Sequence, residues 1–442
     1  MGTVGQRRYV AGADSSTQSC KVVVIDPETG EVVREGHADH PGGTEVDPEA
    51  WWEAFQLAVE RAGGLDDVKA LSVAGQQHGM VLLDRDGRVL RDALLWNDTR
   101  SGKAAEDLIL ELGDGDEQAG RAAWLEKTGS VPVASLTVTK LRWVADNEPE
   151  LIPQIGAICL PHDWLTWKIS GSTDLADLVT DRSDASGTGY VSLETSEYLP
   201  ELLARALKVE PEALEGIRLP RILGPSENAG RGWDQILLGP GCGDNAAAAL
   251  ALGLGEGEAS LSLGTSGVVA AVASGPVVDQ SGTVTTFADA TGAWLPLVAT
   301  LNASRIIDAM CKLLGVDYDT FDDLALSVPN SDGVELIPYF EGERTPNLPD
   351  ATASLLGLTL ANCDPAHVAR ASVEGLLKLM RGALDAVRGL GVPVNKVVLI
   401  GGGARSRAVQ ELAPELLDAE IAIAEEAEYV ALGAARQAAE LA

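Results

Sequence analysis

The chain has 442 residues, of which 66 are acidic and 33 basic, for a formal net charge of −33. That length provides for two or three domains with full cores, and the apolar fraction of 45% is that of a globular protein. No basic stripe is present to neutralise phosphates, so duplex nucleic acid and an anionic membrane are excluded as partners. Any phosphate site must rely on a metal ion, backbone N–H groups and helix N-termini.

The N-terminal stretch MGTVGQRRYV lacks the apolar region of a secretory signal, and Gln6 stands where a myristoylation motif requires Ser or Thr. No apolar run reaches membrane-spanning length. The cysteines Cys20, Cys159, Cys242, Cys311 and Cys363 are odd in number and widely spaced, with no Cys-x-x-Cys pair. Neither a zinc site nor a disulfide framework is indicated, and the expected compartment is the reducing cytoplasm.

In chain order, YVAGADSSTQSCKVVVID (9–26) reads as an apolar strand, a small polar turn and a β-branched strand, and PETG turns the chain into a third strand. DPEAWWEAFQLAVERAGG (47–64) reads as an amphipathic helix with an acidic start and a glycine stop. VKALSVAG (68–75) is a short buried-type strand, so strands alternate with helices and the fold class is α/β. Gln76, Gln77 and His78 follow that strand directly, where open α/β sheets bind ligands. Their amides and imidazole are neutral hydrogen-bonding groups suited to sugar hydroxyls. Trp96, in LLWNDTRS, offers an aromatic face to a sugar, but taken by itself fits a core position better.

GCGDNAAAAL (241–250) puts Asp244 before an alanine-rich helix, the place of an N-cap. A carboxylate there would be held in place and kept ionised by the helix dipole, and Gly241 and Gly243 would leave room for a ligand. ASLSLGTSGVVAAVAS (259–274) then repeats strand, turn and strand, with Gly264 and Thr265 in the turn. The two turns, DSSTQS and LGTSG, are weakly symmetric and predict two related α/β domains, divided near LLGPGCGD into residues 1–240 and 241–442. Such turns can aim N–H and O–H groups at phosphate oxygens, and Asp14 adds a carboxylate able to bind Mg²⁺. Each turn alone also fits an ordinary polar hairpin. Near the end, IGGGARS (400–406) is a strand, the glycines Gly401, Gly402 and Gly403, and a helix. It is neither a Rossmann fingerprint nor a P-loop, so bound ATP would be held without a P-loop.

Taken together, YVAGADSSTQSCKVVVID, AGQQHGMVLLD, LLWNDTRS, SLTVTKLRWVADN, LPHDWLTWKISG, TDRSDASGTGY, GCGDNAAAALALG, LSLGTSGV, PYFEGERTPNLP, ASLLGLTLANCDPAHVARASVE and LIGGGARS resemble, in order and spacing, the xylulokinase branch of the FGGY carbohydrate kinases. That family lies within the actin/hexokinase/Hsp70-like ATPase superfamily. The resemblance spans nearly the whole chain. It implies two ribonuclease-H-like α/β domains flanking a catalytic cleft, and ATP-dependent phosphorylation of D-xylulose in xylose catabolism.

By resemblance, Asp244 is the general base toward the C5 hydroxyl and Gln77 and His78 contact the sugar. Trp96 walls the pocket. Asp14 serves activity and Mg²⁺, Thr17 shares its phosphate turn, Gly264 and Thr265 form the second such turn, and Gly401, Gly402 and Gly403 pack beside the adenosine. Three departures stand out. DSSTQS lacks a glycine common in the family's first turn, His162 stands where some relatives carry lysine, and the C-terminal tail is shorter than usual. A homodimer is one assembly compatible with the resemblance. The alternatives are a kinase of another ketose or polyol, or a catalytically silent sugar-binding protein.

Overall fold

In the computed structural model, which describes residues 8–442, the chain divides into two compact units. The reading of the first seven residues lies outside the described ones. One unit runs to Gly253 and also takes Phe287–Trp294 and Ala427–Ala442; the other comprises Leu254–Thr286 and Leu295–Glu426. This division differs from the expected one at residue 240. The helix carrying Asp244 stays with the first unit, and the chain's last helix returns to it.

The first unit is built on a sheet in which Val32–Asp39, Ser19–Ile25, Tyr9–Ser15, Val68–Gly75 and Leu237–Leu238 are neighbours in that order. The first three pair antiparallel, and the last two join in parallel. Tyr9–Ser15 is buried from Val10 onward, because both sheet faces are covered. On one face Trp51 and Phe55 of helix Pro48–Arg61, with Trp164 of helix Pro161–Ser170, join a single apolar cluster. Helix Pro48–Arg61 begins as its sequence predicts, with Asp47 accepting from the Glu49 N–H and proline in the first turn.

On the other face Val10, Val23, Ile25 and Ala70 pack against Ala431, Ala435 and Ala438 of the last helix, Tyr429–Ala439. Small residues make this contact possible. A Cβ on Gly12 would stand 2.0 Å from the Ala431 carbonyl oxygen. A Cβ on Gly433 would stand 1.9 Å from that of Ala247, in helix Asp244–Leu252. The strand and both helices therefore approach backbone to backbone.

The second unit repeats the plan. Trp294–Thr300, Gly267–Ala271, Gly257–Leu263, Val394–Ile400 and Glu420–Ile423 are neighbours in that order. The first three are again antiparallel and the last two parallel. Its main helix, Pro365–Gly389, has 25 residues and buries an apolar stripe that includes Leu376, Met380 and Leu384.

Candidate functional site

In the first unit the site is assembled at the strand ends. Asp14 is the penultimate residue of its strand, only 4% exposed. Its Oδ2 accepts from Ser16 Oγ at 2.6 Å, while its Oδ1 is buried with no partner. Burial raises its pKa to about 7; the Ser16 bond opposes this, and the charge of Asp244 adds to it. Thr17, in the turn, accepts from Trp96 Nε1 at 2.8 Å and lies 3.4 Å from Gln76 Oε1. Trp96 is 42% exposed, so it is a surface ring tethered to the turn and not a core residue.

The parallel neighbour of that strand ends at Gly75 and delivers the Gln-Gln-His run. Gln77 is buried; its Nε2 donates to the Ser183 carbonyl at 3.3 Å and its Oε1 lies 3.4 Å from Asn245 Nδ2. His78 adopts a left-handed backbone, φ 69°. Its Nδ1 lies 2.8 Å from the Gly187 carbonyl oxygen. Burial, reinforced by the Lys140 charge, lowers its pKa to about 4, so the ring is neutral at physiological pH. With Nδ1 facing a carbonyl, the proton sits on Nδ1 and Nε2 is left as an acceptor.

Asp244 is the first residue of its helix and not the N-cap. Gly243 occupies the cap position with no side-chain bond. The carboxylate is oriented by its neighbour instead: Oδ1 accepts from the Asn245 N–H at 2.7 Å and from Asn245 Nδ2 at 2.9 Å. No hydrogen bond among the described residues engages Oδ2. Burial raises the pKa to about 6 despite these bonds. Desolvation thus outweighs the helix dipole, contrary to the sequence expectation, although the group is still mostly ionised at neutral pH.

The glycines before it also serve neighbours on the protein side. A Cβ on Gly243 would stand 2.8 Å from the Gln77 side chain, and one on Gly241, φ 84°, would stand 2.8 Å from the Val73 carbonyl oxygen. Gln437 of the last helix grips this loop through both backbone groups of Gly241, accepting from its N–H at 3.1 Å and donating to its carbonyl at 2.9 Å.

Sequence reasoning did not single out Asn245, Ser183 or Gln437. A glutamine within the alanine stripe of GAARQAAELA was the available sign for Gln437, since a buried amide needs partners.

In the second unit the turn 264–266 is tied by its carbonyls to the start of helix Ser304–Leu314. The Ala303 N–H donates to Thr265 O at 3.2 Å and the Ser304 N–H to Gly264 O at 2.8 Å. Gly401, φ 88°, and Gly403 pack on Leu263, whereas a Cβ on Gly402 would meet nothing within 4 Å. The sequence candidates Gly264, Thr265, Gly401, Gly402 and Gly403 are thus gathered at adjacent strand ends.

Among the described residues no group of three or more His, Cys, Asp or Glu could hold a metal ion. The unpartnered Oδ1 of Asp14 nevertheless fits one oxygen ligand of a hard cation. Mg²⁺ commonly takes one or two carboxylates and completes its shell with water and phosphate oxygens. No helix of the described residues is long and apolar enough to cross a membrane.

Comparison with known proteins places this duplicated α/β plan among phosphotransferases acting on carbohydrates. Residues 9–250 match the model for the N-terminal domain of the FGGY family of carbohydrate kinases, and residues 259–442 match that for its C-terminal domain. The chain belongs to the FGGY family of carbohydrate kinases. It is 44% identical to a xylulose kinase of Streptomyces coelicolor, over 98% of this chain and 88% of that protein. It is 34% identical to a xylulose kinase of Escherichia coli, over 89% and 82%. The crystal structure of xylulose kinase from Bifidobacterium adolescentis is 50% identical and superposes with a TM-score of 0.93, covering 98% of this chain and 93% of that one. The crystal structure of glycerol kinase from Plasmodium falciparum, 21% identical at a TM-score of 0.86, shares the fold.

Proposed function

We propose that this carbohydrate kinase transfers the γ-phosphoryl group of ATP to the C5 hydroxyl of D-xylulose, giving D-xylulose 5-phosphate and ADP. The observation that carries the reading is Asp244: a partly buried carboxylate fixed through Oδ1, with Oδ2 free to accept a proton. The near-full-length likeness to xylulose kinases supports the choice of sugar.

Gln77 and His78 bind the sugar hydroxyls, the neutral His78 accepting at Nε2. Asp244 Oδ2 takes the proton as the sugar oxygen bonds to phosphorus and the bond to the ADP oxygen breaks. Phosphoryl transfer passes through a loose transition state, so an oriented acceptor is needed more than a strong base. Thr17 and the turn of Gly264 and Thr265 would receive the phosphates through N–H and O–H groups, and Gly401 to Gly403 the adenosine. Asp14 would hold Mg²⁺, which neutralises phosphate charge when bound. Five free cysteines, four of them buried, support a reducing cytoplasm as the working compartment.

The test is ADP release with and without D-xylulose, and across a panel of ketoses and polyols. Wild type is expected to prefer D-xylulose, and Asp244→Asn to lose about 10²- to 10⁴-fold in turnover. Near-normal turnover in that variant removes the base assignment, and preference for another sugar removes the substrate.

A further inference from the structure

The segment Ser183–Thr188, SDASGT, has no part in the chemistry assigned so far. It lies on and just beyond the short helix Arg182–Ser186. Three of its groups bond to site elements. The Ser183 carbonyl accepts from Gln77 Nε2 at 3.3 Å, and the Gly187 carbonyl oxygen lies 2.8 Å from His78 Nδ1. The Ser183 hydroxyl accepts from the Gly243 N–H at 2.9 Å, one residue before Asp244. The route closes on itself: Ser183 bonds to Gly243, the chain runs on to Asp244, Asp244 bonds to Asn245, and Asn245 and Gln77 lead back to Ser183, with hydrogen bonds of 2.7 to 3.4 Å.

The Ser183 hydroxyl is itself fixed from below, donating to Asp181 Oδ2 at 2.6 Å, while Asp181 Oδ1 lies 3.1 Å from His162 Nε2. Burial disfavours a charged His162, but Asp163 and Asp181 outweigh it and hold the pKa well above the usual range. Ser183, Asp181 and His162 are all buried. A buried chain of this kind has one low-energy arrangement, because any break strands a polar group away from water.

We infer that Ser183 is a positioning residue of the kinase site, whose hydroxyl sets the base loop at Gly243 while its own segment holds the sugar-binding pair Gln77 and His78. The inference rests on the proposed function for the roles of those residues. It makes the two arms separable. Ser183→Ala removes the hydroxyl link to the base loop and leaves both carbonyl contacts. Gly187→Ala acts on the other arm, because a Cβ there would stand 2.7 Å from the His78 ring.

The experiment measures steady-state kinetics for sugar and for ATP in both variants, with hydrogen exchange over residues 241–245. Ser183→Ala is expected to lower kcat about 10- to 100-fold, as loss of an outer-shell partner or a small misplacement does. Sugar KM should change less, ATP KM should stay within about twofold, and exchange at Gly243 should quicken about tenfold, the loss of one hydrogen bond. Gly187→Ala is expected to raise sugar KM with a smaller change in kcat. Unchanged kcat or unchanged exchange in a folded Ser183→Ala overturns the inference, as does an equal loss in every parameter for both variants. If Ser183→Ala does not fold, Gly187→Ala decides by whether sugar KM rises alone. Should wild type phosphorylate a different sugar, the substrate reading fails by itself and the split is read with that sugar. Exchange at Gly243 requires no sugar and judges the link on its own.

Discussion

The two units share one strand plan and differ in what they place at equivalent strand ends. In each, the central hairpin turns through three residues, 16–18 in the first unit and 264–266 in the second. The penultimate residue of the first hairpin strand is Asp14 in one and Ser262 in the other. The parallel neighbour pairs Ala74 with Asp14 and Ile400 with Ser262. Beyond it the first unit presents Gln76, Gln77 and His78, and the second presents Gly401, Gly402 and Gly403. One scaffold thus offers side chains with a carboxylate, amides and an imidazole, and the other offers bare backbone. Side chains that donate and accept suit a sugar's hydroxyls. Bare backbone lets a flat or anionic group come close. The duplicated fold supplies geometry, and the division of labour comes from a few residues at fixed places in it.

The sharpest way to break this comparison is at the penultimate pair. Asp14→Asn should cost about 10²-fold in kcat, the scale of losing one charged contributor to transition-state stabilisation. Ser262→Ala, at the matching position of the other unit, should leave kcat within about twofold, as replacement of a hydroxyl away from the reacting groups does. Steady-state turnover of the two variants side by side checks it. Equal losses would mean that both strand ends carry charge-handling chemistry and that the asymmetry is only apparent in residue type.

A smaller effect should appear as mirror-image Michaelis constants. Removing one hydrogen bond to a sugar hydroxyl, in His78→Ala or Gln77→Ala, should raise sugar KM about tenfold, the worth of roughly 1–1.5 kcal/mol. ATP KM should hardly move. Gly402→Ala should do the reverse. Its Cβ meets no protein atom, so the fold tolerates it, but the added methyl occupies the space through which a nucleotide would approach. Variants that alter both constants together would erase the assignment of sugar and nucleotide to different units.

Most of the scaffold was legible in the sequence because strand, turn and helix signals are local. The hairpin at DSSTQS, the helix after Asp47 and the strand before IGGGARS all follow from patterns a few residues long. The return of the last helix to the first unit was not. Residues 427–442 pack on the first unit through Gly12, Gly433 and the alanines between them, and a small-residue stripe carries no sign of which partner it fits. In the candidate site, Asp14, Gln77, His78 and Asp244 stand out in the sequence as reactive residue types at strand ends and a helix start. Ser183 and Gln437 do not, because their importance lies in backbone groups of Gly243 and Gly241 that come within reach only after folding. The direction of the pKa shift at Asp244 was not legible for a related reason. The dipole of its helix is visible in sequence, whereas the desolvation that opposes it depends on everything packed around the loop.

That desolvation leads to the smallest of the expected effects, and to the one most particular to the first unit. A carboxylate whose pKa rises from 3.8 to about 6 on folding favours the folded state while protonated. The contribution is complete below the unfolded-state pKa and lost as the pH rises through about 6, so at pH 8 the ionised Asp244 weighs against folding. Asp244→Asn should therefore melt higher than wild type at pH 8, by on the order of 2–4 °C, and the gain should vanish below about pH 4. The same titration appears with opposite sense in catalysis. Wild-type kcat/KM should climb with pH from about 6 to about 7, as Asp244 gains the charge that would let it accept a proton and Asp14 then gains its own. An enzyme that is most active where its base destabilises it, and a variant that gains stability as it loses turnover, would mark Asp244 as a residue kept for chemistry at a cost to the fold. Ser262, at the strand end of the second unit, carries no such charge, so Ser262→Ala should show neither a pH-dependent shift in melting nor a displaced acid limb.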